Sequence, residues 1–166
     1  LMIHGTTSSL DEFVVSLGPT LSPDYHLIAY DRPGMGRSTH RPGDAAKLTV
    51  QAQTAADIIA ALKLDHPVVI GHSYGGAVAL RLALDYPQEI SGLVLLSPAS
   101  HPWGGGAPFF YTLQATPVVG DIATTVTWPF SKGIAENSLR TRVFAPQPMP
   151  AGYFEKAEVK LALRPA

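Results

Sequence analysis

The stretch Pro67-Val68-Val69-Ile70-Gly71-His72-Ser73-Tyr74-Gly75-Gly76 decides how the chain is read. It begins as a short, wholly apolar run of the kind that fills a central parallel strand. It ends by opening a helical pattern, from Tyr74 to about Tyr86, that sets Val78, Leu82, Ala83 and Tyr86 on one face before Pro87 stops it. Between the two, Gly71-His72-Ser73-Tyr74-Gly75 fits G-x-S-x-G, a pattern that carries weight only between a strand and a helix. Such a turn lifts the serine hydroxyl off the carboxyl edge of a sheet. Gly71 and Gly75 supply the small neighbours a strained turn needs, and Gly76 lets the helix lie close to the strand. The amino end of the helix directs its dipole and N–H groups at an anion formed there. Ser73 is the candidate nucleophile.

Outward from this turn, short apolar runs alternate with helical patterns, the order of an α/β fold with a mostly parallel sheet and helices on both faces. Leu1-Met2-Ile3-His4 reads as the first strand, Asp11 to Leu17 as a short helix closed by Gly18-Pro19, and His26 to Tyr30 as the second strand, ended by the turn Asp31-Arg32-Pro33-Gly34. From Thr49 to Leu62 the apolar residues Val50, Ala55, Ile58, Ile59 and Leu62 recur at helical spacing, with Thr49 available as a cap. Pro67 to Ile70 is the third strand and Gly92 to Ser97 the fourth. Beyond Pro98, Gly104-Gly105-Gly106 and the prolines 117, 129, 146, 148 and 150 divide the chain into short pieces. Phe109, Phe110, Tyr111, Trp128 and Phe144 are interspersed among them. This part reads as short helices forming a lid, so the expected division is a core over 1–100 and a cap over 101–166. The first strand opens the chain with nothing ahead of it to pair, and Met2 as a start would still cut it. Absent upstream sequence is the expectation.

Acyl transfer needs donors for a developing oxyanion, and losing one costs about 10²–10³ in rate. One donor is expected to be the N–H of Tyr74. The other is expected from His4-Gly5-Thr6, which ends the strand two before the elbow strand on the same sheet edge, and the Thr6 N–H is the nominee. Together, His4-Gly5-Thr6, Asp31-Arg32-Pro33-Gly34-Met35-Gly36-Arg37-Ser38 and Gly71-His72-Ser73-Tyr74-Gly75-Gly76 resemble, in order and spacing, three consecutive signatures of the α/β-hydrolase fold family. The resemblance covers residues 1 to about 100, and the rest resembles the helical cap such enzymes insert after the sixth strand. It implies strands equivalent to the family's third to sixth, a truncated fold lacking two strands in front and two behind. Gly34 and Gly36 are read as a structural turn, because no third glycine follows at dinucleotide spacing and Arg41-Pro42-Gly43 does not open a helix. His72 is also read as structural, since adjacency in a tight turn is not a hydrogen-bonding geometry.

A serine hydroxyl needs an imidazole in reach and a carboxylate behind it, in the family order Ser, acid, His. After Ser73 the sole histidine is His101, a loop residue, and the carboxylates between them are Asp85 and Glu89. These lie at the far end of the helix, about 12 residues or roughly 18 Å away. Ser97-Pro98-Ala99-Ser100 holds no acid, and Asp121, Glu136, Glu155 and Glu158 lie in the cap with no histidine after them. Acid and base are therefore expected from sequence downstream, and the chain by itself is expected to turn over negligibly.

The remaining composition narrows the classes. A chain of 166 residues, 46% hydrophobic and 15% charged, is one globular domain in size, and its net charge of −1 offers no field for nucleic acid. From residue 131 onward six Lys/Arg face three Asp/Glu, which reads as solvated helix surface. The absence of Cys removes disulfides, thiolate metal sites and cysteine nucleophiles. No metal or cofactor is expected, no apolar run is long enough to span a bilayer, and a soluble, cytoplasmic protein is the expectation. Ser at the elbow, where the family's haloalkane dehalogenases and epoxide hydrolases use Asp, implies an acyl-enzyme. A lid rich in Phe, Trp, Leu and Val implies a small-molecule substrate with an apolar acyl or alcohol group. The competing reading is a non-catalytic binding or regulatory module, which accounts for the missing base without truncation.

Overall fold

Every strand of the sheet runs in the same direction, and the order of the strands sets where the site can form. The computed structural model describes residues 1–6, 8–39, 47–101, 130 and 132–162. The expectations for Arg41-Pro42-Gly43, Gly104-Gly105-Gly106, Phe109, Phe110, Tyr111, Pro117, Asp121, Trp128 and Pro129 fall outside the described residues. In chain order the elements are β1 (Met2–Ile3), α1 (Asp11–Val15), α2 (Gly18–Leu21), β2 (Ala29–Tyr30), α3 (Leu48–Ala61), β3 (Val68–His72), α4 (Tyr74–Asp85) and β4 (Gly92–Leu96). The sheet has the order β2-β1-β3-β4, all parallel. The chain steps from β1 to β2 on one side and then crosses to β3 on the other. The loops leaving β1 and β3 therefore diverge at adjacent carboxyl ends, the place where open parallel sheets form a crevice.

Helix α4 lies against β1, β3 and β4 and packs beside α3. Between them sits the core, in which Ile3, Ala52, Ala55, Ile59, Val69, Val78, Ala79 and Leu82 are all buried. The small residues Gly75, Gly76, Ala77 and Ala79 let α4 approach the sheet closely, while Val78 and Leu82 fill the space beyond. After β4, residues 132–138 are helical and run into a π-helical turn, Leu139–Val143, followed by α5 (Tyr153–Lys156) and α6 (Val159–Ala162). Helix α5 packs on α1, with Phe154 and Ala157 buried and the Ser9 hydroxyl donating to the Ala157 carbonyl at 3.5 Å.

Several local expectations are corrected. Gly18-Pro19 does not close α1 but opens α2, where a proline in the first turn gives up an N–H that the helix would leave unpaired anyway. Thr49 does not cap α3. The helix begins at Leu48, and Lys47 holds the cap position in an extended conformation without a side-chain capping bond. The buried stripe of α3 runs through Gln51, Ala52, Ala55, Ala56 and Ile59, while Leu62 is 53% exposed. The stripe turns toward Gln51 because its amide oxygen accepts from the buried Arg32 guanidinium at 3.4 Å. Strand β3 runs two residues beyond Ile70 to His72 and pairs with β4 along its whole length, and its first residue, Val68, is 49% exposed.

Because Leu82 is fully buried in α4 and Leu84 is 77% exposed on the same helix, Leu82→Ala should lower unfolding free energy by about 3 kcal/mol. Leu84→Ala should change it by less than about 0.5 kcal/mol. Urea denaturation checks this, and equal effects of the two changes would remove the assigned core.

Candidate active site

Ser73 ends β3 and begins α4 in a conformation few residues accept, with φ 52° and ψ −117°. A left-handed φ at a residue bearing a Cβ costs on the order of 1–3 kcal/mol and persists only when its surroundings enforce it. Three backbone bonds do so here. The Ser73 N–H donates to the Leu96 carbonyl at 2.9 Å, and the Ser73 carbonyl accepts from the N–H of Gly76 at 3.0 Å and of Ala99 at 2.9 Å. Serine is among the best helix N-caps, yet the Ser73 hydroxyl makes no capping bond to α4.

The glycines around this turn are set by close approach. A Cβ on Gly71 would lie 2.5 Å from the Gly75 carbonyl oxygen, and one on Gly75 would lie 2.0 Å from the Ile3 carbonyl oxygen. The residue that brings α4 down onto the sheet is therefore Gly75, over β1. Gly76 lies close to β3 as expected, since a Cβ on Gly71 would lie 2.7 Å from the Gly76 Cα, and a Cβ on Gly76 would also lie 2.6 Å from Pro98 in the segment after β4.

Pairing of β1 with β3 sets Ile3 opposite Gly71, so the chain leaving β1 runs beside the elbow. Gly5 meets both partners there, since a Cβ on it would lie 3.2 Å from His72 Nδ1 and 3.2 Å from Ser73 Cβ. Arg32, 2% exposed, holds this loop by its carbonyls, its Nε donating to the His4 oxygen at 2.9 Å and its Nη2 to the Gly5 oxygen at 2.8 Å. In a trans peptide the N–H opposes the C=O, so the Thr6 N–H is turned away from Arg32. The guanidinium also lies 4.9 Å from the centre of the Tyr74 ring. His4 Nε2 accepts from the Arg32 N–H at 3.0 Å, which fixes the proton on Nδ1, 2.9 Å from the Gly5 oxygen. Burial first, and then the Arg32 charge, push the His4 pKa down to about 4.

Asp31 to Ser38 closes on itself as a turn. Leu10 and Arg37 N–H groups donate to the two Asp31 carboxylate oxygens at 2.8 Å each, and the Ser38 hydroxyl donates to the Asp31 carbonyl at 2.6 Å. Gly34 and Gly36 take φ of 80° and 52°.

Sequence reasoning missed Glu12 and gave His72 no partner. Glu12 is buried on α1, and its Oε1 accepts from His72 Nδ1 at 2.8 Å, while its Oε2 accepts from the Ser8 hydroxyl. Burial alone would raise the Glu12 pKa, but the bonds from His72 and Ser8 outweigh it and hold the carboxyl below its usual range. The same bond raises His72 against a smaller effect of its own burial. His4 and Arg32 charges also reach Glu12, and the Glu12 charge acts on Tyr153 of α5, whose hydroxyl burial has already made less acidic. The signal for the pair was register: the two residues lie 60 apart in sequence.

Of the other acids and bases considered, Asp85 is bonded to Arg81 at 2.6 Å at the end of α4, and the exposed Glu89 lies beyond it. His101 is exposed with Nδ1 2.9 Å from the Ser100 hydroxyl. Glu136 pairs with Arg140 at 2.8 Å and Glu155 with Lys132 at 3.6 Å. Among the described residues no group of three His, Asp or Glu could hold a metal ion, and no helix is long and apolar enough to cross a membrane.

Comparison with known proteins gives three kinds of match. A family model described as the alpha/beta hydrolase fold matches residues 1–116. Among curated proteins, the chain is 37% identical over 98 residues to a dihydrolipoyllysine-residue acetyltransferase component of the acetoin cleaving system of Cupriavidus necator, covering 59% of this chain and 26% of that protein. It is 29% identical over 108 residues to a 2-hydroxy-6-oxo-6-phenylhexa-2,4-dienoate hydrolase of Comamonas testosteroni, covering 61% of this chain and 38% of that protein. Among solved structures, the epoxide hydrolase CorEH superposes with a TM-score of 0.78 at 22% identity, covering 99% of this chain and 60% of that one, a likeness of fold. The chain thus spans well under half the length of these curated relatives.

Two predictions follow from this geometry. Gly75→Ala forces a Cβ against the Ile3 carbonyl and should destabilise by about 1–3 kcal/mol or more, whereas Gly92→Ala, with nothing within 4 Å, should change stability by under about 0.5 kcal/mol. Thermal denaturation of the two variants compares them directly, and an unperturbed Gly75→Ala would remove the close approach.

The second concerns pH. A lowered Glu12 pKa gives stability that is fully present above 4.5 and lost as pH falls through the folded value; a raised His72 pKa gives stability fully present below 6.5 and lost as pH rises through the folded value. The pair therefore contributes most between pH 4.5 and 6.5. His4 works the other way, its contribution complete above 6.5 and declining toward about 4, but it is common to wild type and variant. The stability difference between wild type and Glu12→Gln should be widest near about pH 5.5 and shrink by about pH 9. A difference in urea midpoint that does not vary with pH would contradict the ion pair.

Proposed function

Since the chain belongs to the α/β-hydrolase fold family, we propose that it carries the nucleophile, the oxyanion donors and part of the cap of a serine hydrolase that works through an acyl-enzyme. The observation that carries this reading is the state of Ser73: a strained helix-start serine whose hydroxyl is not used as a cap, beside Gly5, where an added Cβ would lie 3.2 Å from the serine's own. In the proposed chemistry the Ser73 Oγ attacks an acyl carbonyl, and the oxygen that becomes negative is received by the N–H groups of Tyr74 and Thr6. The first belongs to the opening turn of α4, where the helix dipole favours negative charge. The second faces away from Arg32, which holds the carbonyl of the same peptide.

The general base and its carboxylate belong to parts of the whole protein outside this chain. Supporting this, His72 Nδ1 is bonded to Glu12, and among the described residues Asp85, Glu136 and Glu155, which follow the serine, are paired with basic side chains. Residues 101–166 form the cap in this reading, above a core over 1–100. Phe130, Ile134 and Val143, each exposed by two thirds or more, give that cap an apolar face suited to an acyl or alcohol group. The curated relatives include an acetyltransferase component and a 2-hydroxy-6-oxo-6-phenylhexa-2,4-dienoate hydrolase by name, and an ester-like substrate is the class proposed for this chain, with hydrolysis its outcome.

In the full reading frame containing this chain, a fluorophosphonate probe should label Ser73, and Ser73→Ala should abolish labelling while leaving the melting temperature within a few degrees. p-Nitrophenyl butyrate should be hydrolysed with the same dependence on Ser73. An intact, folded protein that takes no label would instead favour a hydrolase-like binding module.

A further inference from the structure

The Glu12 carboxylate is spent on two partners from different parts of the fold. Ser8 lies on the loop that carries Gly5 and Thr6, and His72 is the last residue of β3, immediately before the nucleophile. Glu12 itself sits in the first turn of α1, a helix of five residues that cannot hold its own position in water without such contacts. We propose that Glu12 is a positioning residue: by accepting from Ser8 and His72 together it clasps the chain leaving β1, at Ser8, to the elbow and fixes the Thr6 N–H relative to the Ser73 hydroxyl.

Three observations converge on this role. Burying a carboxylate is expensive unless its oxygens are satisfied, and both Glu12 oxygens are, at a residue 9% exposed. A Cβ on Gly5 would lie 3.2 Å from both His72 Nδ1 and Ser73 Cβ, so the His72 ring and the elbow leave room on the loop for a glycine alone, and a shift of His72 changes that space. Arg32 fixes the other side of the same loop through the His4 and Gly5 carbonyls, and Glu12 holds it at Ser8. Ser9 adds a bond to the Asp11 carboxylate at 3.1 Å on the same helix, which ties the loop to α1 but not to β3. The link from α1 to the elbow is Glu12 to His72.

The role in catalysis rests on Ser73 being the nucleophile, but the clasp itself does not, and the test separates them. In the full reading frame containing this chain, amide hydrogen exchange is followed at Gly5 and Thr6, and fluorophosphonate labelling is resolved into a binding constant and a maximal rate. Glu12→Ala should raise exchange at Thr6 by about tenfold or more, with the amides of β3 and β4 unchanged. It should lower the maximal labelling rate by about tenfold or more, because an oxyanion donor is displaced rather than deleted, with the binding constant within about twofold. Glu12→Gln, whose amide oxygen can accept from His72 while its amide N–H donates to the Ser8 hydroxyl oxygen, should recover most of both.

If Glu12→Ala does not fold, Ser8→Ala, which removes one arm, should give a smaller rise in exchange in the same two amides. Unchanged exchange at Gly5 and Thr6, or a loss confined to the binding constant, would overturn the proposal. If the wild-type protein takes no label at Ser73, the nucleophile assignment falls and exchange alone decides the clasp.

Discussion

The parallel pairing of β1 with β3, in the register that puts Ile3 across from Gly71, is the constraint from which the site is built. It lies where the strand order turns back on itself, so both loops leave the sheet into the same crevice. The register alone determines that the chain after Ile3 runs beside the chain after Gly71. Helix α4 must then pass over the end of β1, and the 2.0 Å clearance over the Ile3 oxygen admits only a glycine. A register slip of one residue would turn every side chain of β1 to the opposite face and separate Gly5 from Ser73.

Charge is distributed around this crevice so that the buried Arg32 and Glu12 are both satisfied by hydrogen bonds. Arg32 is almost fully enclosed with no carboxylate bonded to it among the described residues, and three oxygens, those of His4, Gly5 and Gln51, receive its N–H groups while the Tyr74 ring lies beneath it. A protonated His4 would set a second cation against it and lose the acceptor for the Arg32 N–H, and for that reason the imidazole stays neutral well below its usual range. The guanidinium also polarises the Gly5 carbonyl, and polarisation passes through the peptide to the Thr6 N–H, strengthening it as a donor. Glu12 and His72 occupy the other side of the loop with opposite charge. The segment between β1 and α1 is thus held from one side by a cation through its carbonyls and from the other by a carboxylate through Ser8 and His72.

What could be read in the sequence was what local chemistry encodes. The strand-turn-helix about Ser73, the parallel order and the helix over Val78 and Leu82 followed from apolar spacing and glycine placement, and the structure has them. Errors arose where a distant partner overrides a local preference. Gln51 turns inward because Arg32 needs its oxygen, so the buried stripe of α3 is rotated from the one its apolar residues suggest. Gly18-Pro19 signals a stop in isolation but begins a new turn here. The Glu12 to His72 bond was invisible because it spans 60 residues and depends on how two strands are aligned, a quantity no periodicity records. His72 was set aside on the ground that it could not bond to Ser73, and that reasoning left its actual partner unexamined.

Backbone strain by itself does not mark the site. Lys63, His66, Ser97 and Glu158 also have positive φ, between 44° and 52°, and Lys63 and His66 belong to the connection entering β3 at the opposite end of that strand from Ser73. Ser97 is different, since it follows β4 beside Ser73 and turns the chain so that the Ala99 N–H reaches the Ser73 carbonyl. Two non-glycine residues in the left-handed region on adjacent strand ends, cross-linked by backbone bonds, form one rigid unit. A capping bond from the Ser73 hydroxyl would stabilise α4 by about 1 kcal/mol, and the fold forgoes it while holding the residue where strain costs a similar amount or more. The combination of an enforced strained backbone, a hydroxyl not used as a cap and a neighbouring glycine whose Cβ would crowd its own distinguishes Ser73 from the four others, because only there does the distortion sit beside the loop that Arg32 and Glu12 hold.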